Sequence, residues 1–288
     1  MLTVKAPAKI NLTLEVLGER PDGFHNIRSV IQAIDLCDSL GFSLSDKIEV
    51  SSDNPDFIAG KSLVARTADL LQQVKGCSQG ARIQVEKRIP LSSGLGGDSS
   101  DAAAVLLGLN ELWPPELKPA KLLELALATR LGSDVAFFLY GGTALAEGRG
   151  EKIAPLPSLP HRWVVLLVPP LPDVEGKTKQ LYDRLKPSHY SDGEVTDSMV
   201  VGLTRGAVSP SLLFNTFENV AYNFFPKLKV YKEHFLKVGA PHVHLAGSGP
   251  TLFTMLEDKA KAEDLYQRCK DQGLECYLTA TLSSLDRL

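Results

Sequence analysis

The sequence predicts an α+β fold in two lobes, and three observations carry that prediction. A period-two apolar pattern runs from Leu2 to Val16, strands and helices then mix without strict alternation, and a proline-rich break spans Pro155 to Pro160. At 288 residues the chain is long enough for two cores and short for three. The break sets the expected lobes at residues 1–155 and 156–288.

In Leu2–Val16 the even positions are apolar, whereas the odd positions from Lys5 read Lys, Pro, Lys, Asn, Thr, Glu, the pattern of a half-buried strand with one wet face. Pro7 implies an edge or a bulge. Arg20-Pro21-Asp22-Gly23 is a turn, followed by an extended stretch at Ile27–Ile34. Leu63–Val74 has helical spacing, and Ala81, Ile83 and Val85 alternate with polar neighbours as a strand. Asp101–Trp113 is a helix buried on most sides and stopped by Pro114-Pro115; Lys121–Leu131 is another, closed by Gly132. Beyond the break come a strand at Trp163–Val168 and a short helix at Lys177–Leu185. Helical segments over Phe214–Leu236, interrupted at Pro226, lead to a strand at Val243–Leu245, a helix at Ala260–Gln272 and a strand at Glu275–Thr279.

Composition narrows the function. The hydrophobic fraction is 44% and the charged fraction 23%, ordinary for a globular protein, and a net charge of −3 offers no field for a polyanion such as nucleic acid. Small anionic ligands need only a few local donors. Cys37, Cys77, Cys269 and Cys276 lack zinc-knuckle spacing and read as reduced thiols of a cytoplasmic protein. No apolar run has the length of a membrane span, and the N-terminus lacks the apolar core of a signal peptide.

The chemistry concentrates in Ile89–Ala104, where a glycine-rich loop feeds a helix. Backbone N–H groups and the positive end of the helix then converge on one point, as a phosphate requires. Gly94, Gly96 and Gly97 permit close approach, while Ser99 and Ser100 supply hydroxyls for phosphate or for magnesium. No lysine follows the glycines, which excludes a P-loop, and the alternating strand at Ala81–Glu86 argues against a dinucleotide fold. The plainer alternative, in which Asp98 or Ser99 merely caps the helix, is outweighed by the density of glycine and serine in a loop that opens a buried helix.

PLSSGLGGDSSDAAA resembles the second motif of the GHMP kinases, small-molecule kinases that lack a Walker loop. APAKINLTLEVLGERPDGFHNI, LGSDVAFFLYGGTALAEGRGE and HLAGSGPTLF narrow the resemblance to the branch acting on 4-diphosphocytidyl-2-C-methyl-erythritol, and together these segments reach from the N-terminus to Phe253. The resemblance implies a first lobe like domain 2 of ribosomal protein S5 and a ferredoxin-like second lobe. It also implies ATP and Mg2+, with transfer of a phosphoryl group to the 2-hydroxyl of the cytidyl substrate. A monomer or weak homodimer is expected.

Residue by residue, the resemblance makes Lys9 and Asp134 the catalytic pair. Lys9 and Asn11 lie two apart on one strand face, about 6–7 Å along it; taken alone, a lysine on an outer strand face is ordinary. Asp134 alone reads as an N-cap before Val-Ala-Phe-Phe-Leu. ATP contacts are implied along Pro90, Leu91, Ser92, Ser93, Gly94, Leu95, Gly96, Gly97, Asp98, Ser99 and Ser100, with Lys87 upstream and Ser62 where many relatives have an asparagine near adenine. Asp98 replaces a common glycine and adds negative charge there. Substrate contacts are implied for Asn11, Phe24, His25, Thr178, Tyr182, Gly247, Ser248 and Gly249. Phe24 and Tyr182 offer aromatic faces for a pyrimidine and His25 a hydrogen bond to its edge. Relatives commonly have tyrosine where this chain has Phe24.

Overall fold

The computed structural model describes residues 1–128 and 131–283. The long strands β1 (Leu2–Glu19) and β2 (His25–Ser45) pair antiparallel around the expected turn, where Gly23 takes φ 77°. The register of β1 shifts between Pro7 and Ala8, the bulge that a residue without an N–H produces. β2 runs well past the expected Ile34 because its second half, interrupted in pattern by Asp35 and Asp38, finds a further partner in β4.

β3 (Glu49–Ser52) pairs parallel with β4 (Gly80–Glu86), and α1 (Leu63–Lys75) connects them. α2 (Gly97–Leu112) lies on the sheet with α1, and its start falls earlier than the expected Asp101, so that Asp98, Ser99 and Ser100 form its first turn. α3 (Pro119–Ala128) matches the expected helix, whose predicted end lies partly outside the described residues. Next come α4 (Val135–Tyr140) and the hairpin of β5 (Thr143–Gly148) and β6 (Lys152–Pro155), with β5 on β2. Phe42, Trp113, Phe137, Phe138 and Leu71 are fully buried between sheet and helices, giving this half its core.

The second half supplies β7 (Trp163–Leu167), α5 (Lys177–Tyr182), α6 (Glu194–Thr204), β8 (Phe214–Asn215), α7 (Glu218–Phe224) and α8 (Pro226–Val238). β9 (His244–Leu245), β10 (Leu252–Leu256), α9 (Lys259–Asp271) and β11 (Cys276–Ala280) complete it. An antiparallel sheet in the order β11-β7-β10-β9 is covered by α9, which packs against α8. Pro226 is the first residue of α8 rather than a break within it, the helix position that tolerates proline best.

The halves interlock. β8 leaves the second half to pair parallel with β1 at Thr13 and Leu14, completing the seven-stranded first sheet. α6 covers the same stretch, with the Thr196 N–H donating to Glu15 Oε2 at 2.7 Å. The polar face of β1 is therefore not wet: Lys9, Asn11, Thr13 and Glu15 are all buried there. Thr13 and Glu15 meet Thr196 of the second half, whereas Lys9 and Asn11 bond to each other and Asn11 to Ser29 within the first.

Candidate active site

Lys9 emerges from β1 into a cleft of about 890 Å³ between the halves. Its Nζ donates to Asn11 Oδ1 at 2.8 Å and stands 3.6 Å from Asp134 Oδ2. Asn11 Nδ2 donates to Ser29 Oγ at 2.8 Å, and that hydroxyl donates to the Thr13 carbonyl at 2.5 Å. The chain of bonds fixes the amide with its oxygen toward the ammonium. Ser29 escaped the sequence reading; its only signal is a serine at a core position within Ile27–Ile34.

Asp134 precedes α4 yet makes no side-chain capping bond, so the cap expected from sequence is not formed. Its carboxylate turns to Lys9 instead. The Lys9 side chain is 6% exposed and that of Asp134 31%, so the acid keeps a solvated edge toward the cleft while the lysine is enclosed.

Opposite this pair lies the glycine-rich loop. Gly96, with φ 77°, is the N-cap residue of α2 and uses no side chain to cap it; neither Asp98 nor Ser99 is the cap. The first-turn N–H groups are consequently left for an anion. A hollow of about 200 Å³ at this helix end is lined by Pro90, Leu91, Ser92, Ser93, Gly94, Gly96, Gly97, Asp98 and Ser99. Ser92, Gly94, Gly96 and Ser99 also line the large cleft, so they form the passage between the two.

Other expected ATP contacts lie elsewhere. Leu95 is fully buried and offers only its carbonyl, which accepts from the Lys9 N–H at 2.9 Å. Ser100 is fully buried, so of the neighbouring pair only Ser99 lines the smaller hollow. Ser62 caps α1 and lines neither hollow. Lys87 borders the smaller hollow, but its ammonium is committed to Asp38 at 2.5 Å and Asp101 at 2.8 Å in a dry cluster. Burial pushes the Asp101 carboxyl up to about 8 against the pull of Lys87. Asp38 also accepts from the N–H groups of Arg88 and Ile89, so the cluster anchors the chain entering the loop.

The second glycine loop meets the first backbone to backbone. A Cβ on Gly94 would stand 2.4 Å from the Ala246 carbonyl oxygen, and one on Gly247 would stand 2.9 Å from the Gly94 oxygen. Gly247 and Ser248 line the cleft, and Ser248 Oγ lies 2.9 Å from Thr178 Oγ1. Gly249 contributes its carbonyl to Lys177, a cleft residue that the sequence reading missed because a lysine opening a short helix is ordinary.

Phe24, His25 and Tyr182 line the same cleft. The ring stacked on Tyr182 is that of His25, with centroids 4.8 Å apart and planes at 23°, and Tyr190 hydroxyl lies 3.3 Å from His25 Nε2. Phe24 is 53% exposed, with the Arg149 guanidinium 4.8 Å from its ring centroid. The three rings thus line one side of the cleft as an aromatic wall, with Arg149 over Phe24.

The profile of the GHMP kinases N terminal domain matches residues 62–142 and that of the GHMP kinases C terminal domain residues 203–274. The 4-diphosphocytidyl-2-C-methyl-D-erythritol kinase of Dehalococcoides mccartyi is 49% identical over 286 residues, 99% of this chain and 100% of that one. The enzyme of the same name from Geobacillus kaustophilus is 41% identical, covering 99% of both chains. A crystal structure of 4-(cytidine 5'-diphospho)-2C-methyl-D-erythritol kinase superposes with TM-score 0.82 at 32% identity, covering 97% of this chain and 99% of the other. Homoserine kinase from Cytophaga hutchinsonii shares the fold, with TM-score 0.74 at 20% identity over 99% and 96% of the two chains. With relatives of this similarity along its whole length, the chain belongs to the GHMP kinases and, within them, to the 4-diphosphocytidyl-2-C-methyl-D-erythritol kinase family.

Proposed function

We propose that the chain transfers the γ-phosphoryl group of ATP to the 2-hydroxyl of 4-diphosphocytidyl-2-C-methyl-D-erythritol. The observation that carries this reading is that an aromatic wall, Phe24, His25 and Tyr182, shares one cleft with the Lys9–Asp134 pair. A substrate needs a base to use that wall. Homoserine and mevalonate have none, which sets them apart from the cytidyl compound. The polyphosphate occupies the α2 N-terminus and the passage formed by Ser92, Gly94, Gly96 and Ser99. The cytidyl end lies along the aromatic wall.

Asp134 accepts the proton of the substrate hydroxyl, whose oxygen then attacks the γ-phosphorus as the bond to the leaving oxygen of ADP breaks. Lys9 pairs with Asp134 and offsets charge on the phosphoryl oxygens, its position set by Asn11 and Ser29. The donor set suits Mg2+: Ser99 offers a hydroxyl at the passage and Asp98 a carboxylate, and among the described residues no cluster of three acidic, His or Cys side chains competes for the ion. Bound with the ATP phosphates, magnesium supplies charge neutralisation. Among the described residues no helix is long and apolar enough to cross a membrane and no disulfide joins the cysteines, in accord with a cytoplasmic enzyme.

A coupled ADP-release assay with the cytidyl compound, methylerythritol phosphate, homoserine and mevalonate tests the reading. Turnover confined to the cytidyl compound is expected. Equal use of methylerythritol phosphate would remove the pyrimidine site from it.

A further inference from the structure

Lys177 is a cation that this chemistry leaves unused. It opens α5 behind Gly176, and its Nζ donates to the Ser92 carbonyl at 2.6 Å and to the Gly249 carbonyl. One ammonium thus ties the phosphate loop to the Gly247–Gly249 loop. Ser92 is the only non-glycine residue with positive φ among the described residues, at 52°. Such a conformation persists only where the surroundings fix it, and here the lysine holds its carbonyl.

Neither partner is an anion. Lys177 makes no ion pair among the described residues, although it is half-buried in the cleft. Burial pushes its pKa down to about 8; Lys9 on β1 adds to that effect, and Asp173, in the segment before α5, works against it. The two glycine loops face it with backbone alone. A desolvated cation with only neutral partners is unfavourable until an anion arrives. The place is specific: Lys177 lines the cleft beside Ser92 and Gly94, in the passage through which a phosphoryl group must move from helix end to acceptor.

Resting on the kinase reading above, we infer that Lys177 is a second cationic ligand of the phosphoryl group in transit, acting from the acceptor lobe while Lys9 acts from β1. Bond making and breaking are unchanged. The substrate oxygen bonds to phosphorus, the bond to the ADP oxygen breaks and the hydroxyl proton goes to Asp134. Lys177 donates hydrogen bonds to the phosphoryl oxygens and transfers no proton.

Lys177→Met and Lys177→Arg test this against a merely structural link between the loops. Met should lower kcat about 10²- to 10³-fold, the effect of removing one such donor, with KM for the cytidyl substrate little changed, and Arg should restore much of the loss. Calorimetry with a non-hydrolysable ATP analogue and with ADP gives a readout independent of turnover. Met should weaken the analogue about tenfold or more, the scale of one charge-assisted hydrogen bond, and leave ADP nearly unaffected. In paired buffers near pH 8, the wild type should take up a proton on binding the analogue but not ADP, and the Met variant should do so with neither. Unchanged kcat in folded Lys177→Met overturns the inference, as does equal weakening of both nucleotides, the signature of a structural link. If the wild type fails to phosphorylate the cytidyl compound, the substrate reading falls, yet the comparison of analogue and ADP still decides the role of Lys177.

Discussion

Lys9 Nζ stands 3.6 Å from Asp134 Oδ2, and the Asp134 side chain makes no capping bond to the helix that it precedes. The carboxylate is thereby free for chemistry and adds little to the fold. Asp134→Asn should lower kcat by at least ~10²-fold, the lower end of what a positioned base supplies. Its melting temperature should match the wild type. Near-normal turnover in the folded variant would withdraw the assignment.

Lys9 behaves differently because its stem is packed. Its Cγ lies 3.1 Å from where a Gly96 Cβ would stand, and the residue is 5% exposed. Lys9→Met should keep that packing and lose turnover with only a small change in melting temperature. Lys9→Ala should lose turnover and also cost about 2–3 kcal/mol, by opening a cavity and unpairing Asn11. A strand-face lysine in solvent would show neither difference between the variants.

Gly96 and Gly94 predict different defects. A Cβ on Gly96, at φ 77°, would meet the Phe138 ring at 2.9 Å, so Gly96→Val disturbs the core under the loop as well as the phosphate site. Gly94→Ala instead forces the two glycine loops apart. It should weaken ATP and the cytidyl substrate together, besides a backbone cost of about 1–2 kcal/mol. Titration of each ligand separately distinguishes this from a defect confined to the nucleotide.

The aromatic wall gives a graded set. Phe24→Tyr should be nearly silent, whereas Phe24→Ala should raise KM for the cytidyl substrate about 5- to 150-fold, corresponding to 1–3 kcal/mol of stacking, and leave KM for ATP unchanged. His25→Ala also removes the ring stacked on Tyr182 and should reduce discrimination between cytidine and uridine forms. Steady-state kinetics with both pyrimidines on each variant checks this.

Glu218 marks where acid loosens the second half. Burial opposes its ionisation, but the His244 ring at 3.6 Å and the Lys232 ammonium at 2.8 Å outweigh it and hold its pKa down to about 2. Because the folded value is depressed, the stabilisation is full above about pH 4.5 and fades as pH falls toward 2. Melting curves of wild type and Glu218→Gln should therefore differ at pH 6 and converge toward pH 2, by roughly 3 kcal/mol at most. A constant difference across that range would assign the stabilisation to packing.

Much of this was legible in the sequence because glycine and period-two patterns act locally. The glycine-rich entry to α2, the bulge at Pro7 and the alternating β4 follow from their own residues. Periodicity identified the polar face of β1 but could not show its cover, since Thr196 and Gly247 arrive from distant segments. The ion pairs of Lys87 were hidden for the same reason. Nothing near it reveals that Asp38 and Asp101 close over its ammonium. Ser100 and Ser99 are neighbours of the same type, and only the helical rotation that begins at Gly97 turns one inward and the other to the hollow.

β8 is only Phe214–Asn215, yet it restricts how relatives can recombine. A crossover at the proline-rich break would join a first lobe to a foreign second lobe whose Phe214–Asn215 counterpart must fit the Thr13–Leu14 edge, and whose Thr196 counterpart must reach Glu15. A mismatch would expose a strand edge next to the residues that carry the reaction, inviting pairing with another chain. Viable chimaeras of this family should accordingly inherit the Thr13–Glu15 stretch and the segments around Thr196 and Phe214 from one parent.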